Sequence, residues 1–120
     1  MTNDLIQYLE TALWSSTDFS DGTDGEPLDS NYDIDDLDPQ FIEQSKEDIC
    51  NFREMAGELL DNLDSEQVAY DFWLTRNRHG AGFWDGDYEK SVGDKLTEIS
   101  HTFGEVNLYV GDDGKIYSNY

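Results

Sequence analysis

The first 45 residues of this chain carry twelve carboxylates and not one lysine or arginine. Like charges crowded on a short segment oppose compaction, so such a segment folds only where it can bury an apolar face against the rest of the chain. Its first residues supply one. Leu5, Ile6, Leu9, Ala12 and Leu13 recur at helical spacing behind Thr2 and Asn3, which predicts an amphipathic helix over 3–14 with Tyr8 and Trp14 extending its buried side. The chain as a whole holds 28 acidic against seven basic side chains, a net charge of −21, yet 37% of its residues are hydrophobic and 13% aromatic. That excludes a disordered polyelectrolyte and leaves a folded acid. Its length of 120 residues suits a single domain spanning 1–120, with a core that needs no disulfide or metal. The lone Cys50, between Ile49 and Phe52, reads as a small apolar helix residue. The start shows no basic region followed by an apolar run, and no stretch approaches a membrane span, so a soluble, cytoplasmic protein is expected.

Residues 16–31 read as a loop rich in Ser, Asp, Gly and Pro, the heart of an acidic segment over about 15–37. Asp21, Asp24 and Glu26 are oxygen ligands of the kind calcium takes, but their spacing matches no complete calcium loop, and a solvated acidic loop is the plainer reading. Asp38 followed by Pro39 marks a helix start. An apolar face from Phe41 to Leu63 then predicts one helix of some 25 residues. Asp64 to Gln67 resembles a capping box, opening a helix that runs from Ser65 to Arg78, with Gly80 as its left-handed cap. A further helix is expected over 88–101, built on Val92, Leu96 and Ile99. Val106, Leu108 and Val110 then alternate with polar or aromatic positions before the turn Gly111 to Gly114, which predicts a C-terminal hairpin. Two strands alone are marginal, and Gly82-Phe83-Trp84 is the short candidate for a third. The expected class is α+β, with about four helices and a small antiparallel sheet.

The densest chemistry lies between Asp71 and Tyr88. A histidine oriented by an aspartate is the usual general base, so His79 with Asp85 and Arg76 is one enzyme candidate. No nucleophile elbow, paired cysteine or phosphate-cradling loop accompanies it, and a histidine in the last turn of a helix is also favoured by the helix dipole. Asp85, Asp87 and Glu89 begin like a calcium loop and then fail at Lys90 and Leu96. His79 and His101 lack the further ligands of a zinc site. No metal or cofactor is expected. Arg76 and Arg78 beside Trp73 and Trp84 are phosphate-binding in type, but in so acidic a chain they read first as internal counter-ions. Trp73, Arg76, His79, Gly80, Gly82, Trp84 and Asp85 are accordingly read as a structural motif, a helix cap and glycine turn leading into an aromatic strand. A third reading makes Trp84 the centre of a protein-interaction surface.

From Val68 onward, VAYDFWLTRNRHGAGFWD and then VGDKLTEISHTFGEVNLYVGDDGKIY resemble a family of small acidic proteins encoded by bacteriophages and mobile elements of bacteria. The resemblance covers about the last 50 residues and departs at Arg78, where glycine is expected in much of the family. It supplies the context of a protein inside a host cell and assigns no catalytic roles. Small acidic phage proteins include inhibitors that copy the charge of duplex DNA, among them anti-restriction and anti-CRISPR proteins. By that analogy the expected partner is the basic, nucleic-acid-binding surface of a host defence complex, with no direct contact to nucleic acid or membrane. The carboxylates expected to meet it are Asp33, Asp35, Asp36, Asp38, Glu43, Glu47, Asp48, Glu54 and Glu58, standing in for phosphates.

Overall fold

A helix begins where an Asp side chain can take up a free N–H and a proline has none to satisfy, and the longest helix starts in that way. In the computed structural model, which describes residues 1–18, 26–79, 82–84 and 88–119, Asp38 accepts from the Gln40 N–H (3.4 Å) and Pro39 occupies the first turn. The described residues form four α-helices, α1 (Asn3–Ser15), α2 (Pro39–Ala56), α3 (Ser65–Arg76) and α4 (Lys90–His101). Two antiparallel pairs join them: β1 (Thr17–Asp18) with β2 (Glu26–Pro27), and β3 (Leu108–Val110) with β4 (Ile116–Ser118). This is the α+β class the sequence predicts.

Helix α3 is the axis of the packing. Six consecutive residues, Asp71 to Arg76, are buried, so the C-terminal half of the helix is enclosed on all sides, as a central helix is. Along α1, Tyr8 meets Trp73 edge to face (5.3 Å between centroids), and the Trp73 Nε1–H donates to Ser15 Oγ (2.7 Å). From α2, Phe52 stacks on Phe72 (4.3 Å) and on Phe83 (5.7 Å). Such aromatic pairs each add about 0.5–1.5 kcal/mol beyond the area they bury.

Several expectations about the elements need correction. Trp14, expected on the buried side of α1, is 41% exposed. Helix α2 is 18 residues long, because Gly57 (φ 50°, ψ −121°) adopts a backbone conformation open in practice to glycine alone. A 3₁₀ turn over Gly57–Leu60 follows, which keeps Leu59, Leu60 and Leu63 against the core without continuing the helix. Gln67 does not reach back to Asp64; Asp64 alone caps α3 through the Glu66 N–H (3.1 Å), and Gln67 donates to Asp71 (3.0 Å). Gly82, Phe83 and Trp84 form a turn and no strand. The hairpin takes its third partner from the acidic segment, where Leu37 forms a parallel bridge with Ile116 and the Asp38 N–H donates to the Ile116 carbonyl (2.8 Å). At the hairpin's tip, Asp113 accepts from the Tyr117 hydroxyl (2.6 Å) and the Lys115 N–H (3.1 Å). These bonds hold its carboxyl below the usual carboxylate range and push the Tyr117 phenol up.

The 82–84 turn is clamped between two helices. The Thr75 hydroxyl accepts from the Phe83 N–H (3.0 Å), and a Cβ at Gly93 of α4 would stand 2.5 Å from the Phe83 carbonyl oxygen. An alanine in mid-helix ordinarily stabilises by about 0.8–1 kcal/mol over glycine. Here Gly93→Ala is expected to cost about 1–3 kcal/mol through overpacking, read as a lower urea midpoint.

Helix α3 ends in a Schellman motif. The Arg78 N–H donates to Thr75 O (3.1 Å) and the His79 N–H to Leu74 O (3.0 Å), which places Arg78 at the left-handed position, φ 56°. A glycine at 78 would adopt this geometry without strain. Relief of the left-handed strain, about 1–2 kcal/mol, outweighs the extra unfolded-state entropy of glycine, about 0.5–1 kcal/mol. Arg78→Gly should therefore raise the urea midpoint at unchanged slope, by an amount equivalent to about 0.5–1 kcal/mol.

Candidate functional site

The carboxylates named from the sequence divide into two groups once their elements are placed. On α2, positions 43, 47 and 54 lie within about 40° of one another at 100° per residue and span about 16 Å of axis. Glu43, Glu47 and Glu54 are all exposed, as is Glu58 just beyond Gly57. Asp33 and Asp35 are also exposed, while Asp36 and Asp38 are half-buried. Asp38, Glu43 and Glu47 line one shallow groove of about 510 Å³ with Gln40, Gln44 and Ser118. Three of these acids bind backbone as well as facing solvent, Asp38 as the cap of α2. Asp33 and Asp36 cap each other's ends of a 3₁₀ turn, Asp33 accepting from the Asp35 N–H (2.9 Å) and Asp36 from the Asp33 N–H (3.0 Å).

Asp48 does not belong to this face. It is buried, and its Oδ2 lies 2.7 Å from Nη1 of Arg76, while its Oδ1 accepts from Gln44 (3.0 Å). Position 48 falls in the inward stripe of Phe41, Ser45, Phe52 and Ala56, so a charge there must find a partner inside. Cys50 departs in the opposite sense. It is exposed, because it shares the outward stripe of Glu43, Glu47 and Glu54.

Arg76 is 1% exposed. Its Nε donates to Gly104 O (3.0 Å), Nη1 to Tyr8 Oη (3.0 Å) and Asp48, and Nη2 to Phe103 O (3.0 Å). Its carbon Cζ stands 5.5 Å and 5.6 Å from the ring centroids of Phe72 and Phe103. Of the two internal counter-ions expected from the sequence, Arg76 is one and is withdrawn from any substrate; Arg78 is not, since its left-handed position beyond the end of α3 leaves it exposed and without an ion pair among the described residues. Arg53 is also spent on a nearly buried acid, Asp4, at 2.6 Å. Among the described residues, the one ion pair that reaches the outward carboxylates is the exposed contact of Lys46 with Glu43 at 3.9 Å, and exposed pairs of this kind are worth little. Lys90 pairs with Asp94 (2.9 Å), whose hydrogen bond raises the Lys90 pKa.

The motif residues keep the roles of a scaffold. Trp73 is buried, Gly82 packs on Thr75 and Trp84 is 52% exposed. Asn77, at the cap of α3, accepts from the Val106 N–H (2.7 Å) and so ties α3 to the strand entering the hairpin. His79 is half-buried and its backbone N–H is held by Leu74. Gly80, Asp85 and Asp87 lie outside the described residues, as do Asp21 and Asp24. Among the described residues, no group of three or more His, Cys, Asp or Glu is arranged to hold a metal ion, and no helix is long and apolar enough to cross a membrane.

Comparison with protein-family models, with curated proteins and with solved structures gives no match.

Removing one member of a buried, hydrogen-bonded ion pair leaves the other uncompensated, which costs about 3–5 kcal/mol. Asp48→Ala is expected to destabilise by about that amount in urea unfolding, whereas Glu47→Ala, one residue away on the outer face, should change stability by no more than about 0.5 kcal/mol. A double replacement of the pair, Asp48→Leu with Arg76→Met, should recover much of the loss. Equal effects at 47 and 48 would contradict this division of α2.

Proposed function

We propose that this chain is a non-enzymatic protein of a bacteriophage or mobile element that blocks a host nucleic-acid-handling defence complex, its carboxylates occupying the sites where that complex binds phosphates. The observation that carries the reading is the unequal use of charge. Arg76 and Arg53 are turned toward inward acids, and Asp33, Asp35, Glu47, Glu54 and Glu58 are left exposed without an ion pair among the described residues. A field of that sign steers the chain toward lysine and arginine on a DNA groove and repels DNA itself. Binding of this kind needs surface charge and no reacting group.

Two alternatives rest on fewer observations. The enzyme reading centred on His79, Asp85 and Arg76 loses Arg76 to the core. The interaction-module reading retains the exposure of Trp84, and Trp84→Ala separates it from the charge reading, because that variant leaves the acidic face intact.

The test must avoid acids that hold the backbone. Asp33, Asp36 and Asp38 are caps, whereas Asp35, Glu43 and Glu47 accept no backbone hydrogen bond among the described residues. The immobilised chain should retain DNA-binding proteins from a bacterial lysate at low salt, and duplex DNA should elute them. The triple variant Asp35→Lys, Glu43→Lys, Glu47→Lys should weaken that retention by about 100-fold, and added salt should weaken the wild type. Retention indifferent to duplex, salt and reversal would sink the proposal.

A further inference from the structure

Between the C-terminal half of α1 and residues 28–35 lies an open cleft of about 370 Å³, within the range of small-ligand sites, roughly 300–1,000 Å³. Part of its wall is apolar, made by the fully buried Leu13 and the half-buried Tyr32 and Ile34. Four carboxylates, Glu10, Asp29, Asp33 and Asp35, complete the lining. Asp33 lends one oxygen to the Asp35 N–H. Glu10, Asp29 and Asp35 have no hydrogen-bond or ion-pair partner for their side chains among the described residues.

An apolar trough edged by unpaired carboxylates is selective by simple electrostatics. An anion is repelled, and a wholly apolar occupant would desolvate carboxylates without pairing them. What fits is an apolar stem ending in a cation, the form of lysine and arginine. Of these two, only a guanidinium is planar enough to lie on the Tyr32 ring while its fork donates to two carboxylates at once. We propose that this cleft receives one arginine side chain of the basic partner, its stem against Leu13 and Ile34 and its guanidinium between Tyr32 and the rim acids. The inference rests on the proposed function for the partner's being basic. It adds the residue type that anchors the partner, and a site that includes Glu10, Asp29 and Tyr32.

The probe is N-acetylarginine amide, titrated into the isotopically labelled full chain and followed by amide shifts, with the lysine and leucine analogues in parallel. Saturable shifts confined to residues 10–13 and 29–35 are expected, with lysine at least threefold weaker and leucine inert. Tyr32→Ala, and separately Asp29→Asn with Asp35→Asn, should each weaken arginine at least fivefold while amide positions elsewhere stay as in the wild type. Absence of saturable shifts in these two segments, equal response to arginine and lysine, or wild-type affinity in the Asn double variant would overturn the assignment. Capture of duplex-eluted proteins from lysate with no arginine response would remove the cleft and leave the proposed function standing. A saturable arginine response without such capture would do the reverse.

Discussion

The ion pair between Arg76 and Asp48 fixes how the helices sit. A guanidinium with 1% exposure is tolerable in a core only when its N–H groups and its charge are both answered. Those answers come from four places at once: Tyr8 on α1, Asp48 on α2, and the carbonyls of Phe103 and Gly104 after α4, converging on a residue of α3. Shifting any one of these helices along its axis would leave a buried charge short of a partner. Hydrophobic contacts, which are non-directional, impose no such register.

The pair also sets the outer surface. With Asp48 drawn inward, Glu43 and Glu47 are carried roughly 100–140° round the same helix and must face water. One buried carboxylate therefore orients a row of exposed ones. The fold bears the resulting repulsion because its acid-rich start is held by apolar contact: Tyr8, Leu9 and Ala12 of α1 are fully buried, and Leu28 and Leu37 bring the following segment down onto the same core. Net stability of a domain is a difference of about 5–15 kcal/mol between large terms, and here the aromatic contacts about Phe52, Phe72 and Trp73 supply the favourable side against an unneutralised surface.

Periodicity carried most of this in the sequence. The span of α1 follows from its apolar spacing, the start of α3 from Asp64 and the hairpin from its turn residues, but α3 ends at Arg76, with Arg78 taking the left-handed position expected of Gly80. Nor does the end of α2 follow, since the apolar stripe runs on through Leu59, Leu60 and Leu63 and a periodic pattern cannot tell a glycine that sits in a helix from one that ends it. The inward turn of Asp48 was legible in principle: Phe41, Ser45, Asp48 and Phe52 follow steps of four, three and four, and the step outweighs the charge. The same reasoning puts Cys50 outside with Glu43, Glu47 and Glu54. By contrast, the third partner of the hairpin depends on Leu37 meeting Ile116, a pairing of residues 79 apart in sequence that no local pattern encodes. The cleft was hidden for a similar reason. Glu10 and Asp29 belong to different elements, and only packing brings them to one rim.

Structure and charge are carried by different stretches of the chain. Between residues 71 and 84, each described side chain with a polar partner is committed to holding the fold. Asp71 receives the Tyr88 hydroxyl at 2.5 Å, Thr75 the turn, Asn77 the hairpin strand, and Arg76 the helices around it. Among the described residues, a partner meeting that region finds chiefly Arg78 and the face of Trp84. Among the described residues, the exposed acids at 35, 43, 47, 54 and 58 hold no such contacts, apart from the weak one to Lys46. Substitution among them alters the field without disturbing the packing, because a solvated carboxylate contributes little to stability where it stands. A chain built in this way can change what its surface attracts while Arg76 and its partners keep the helices in place.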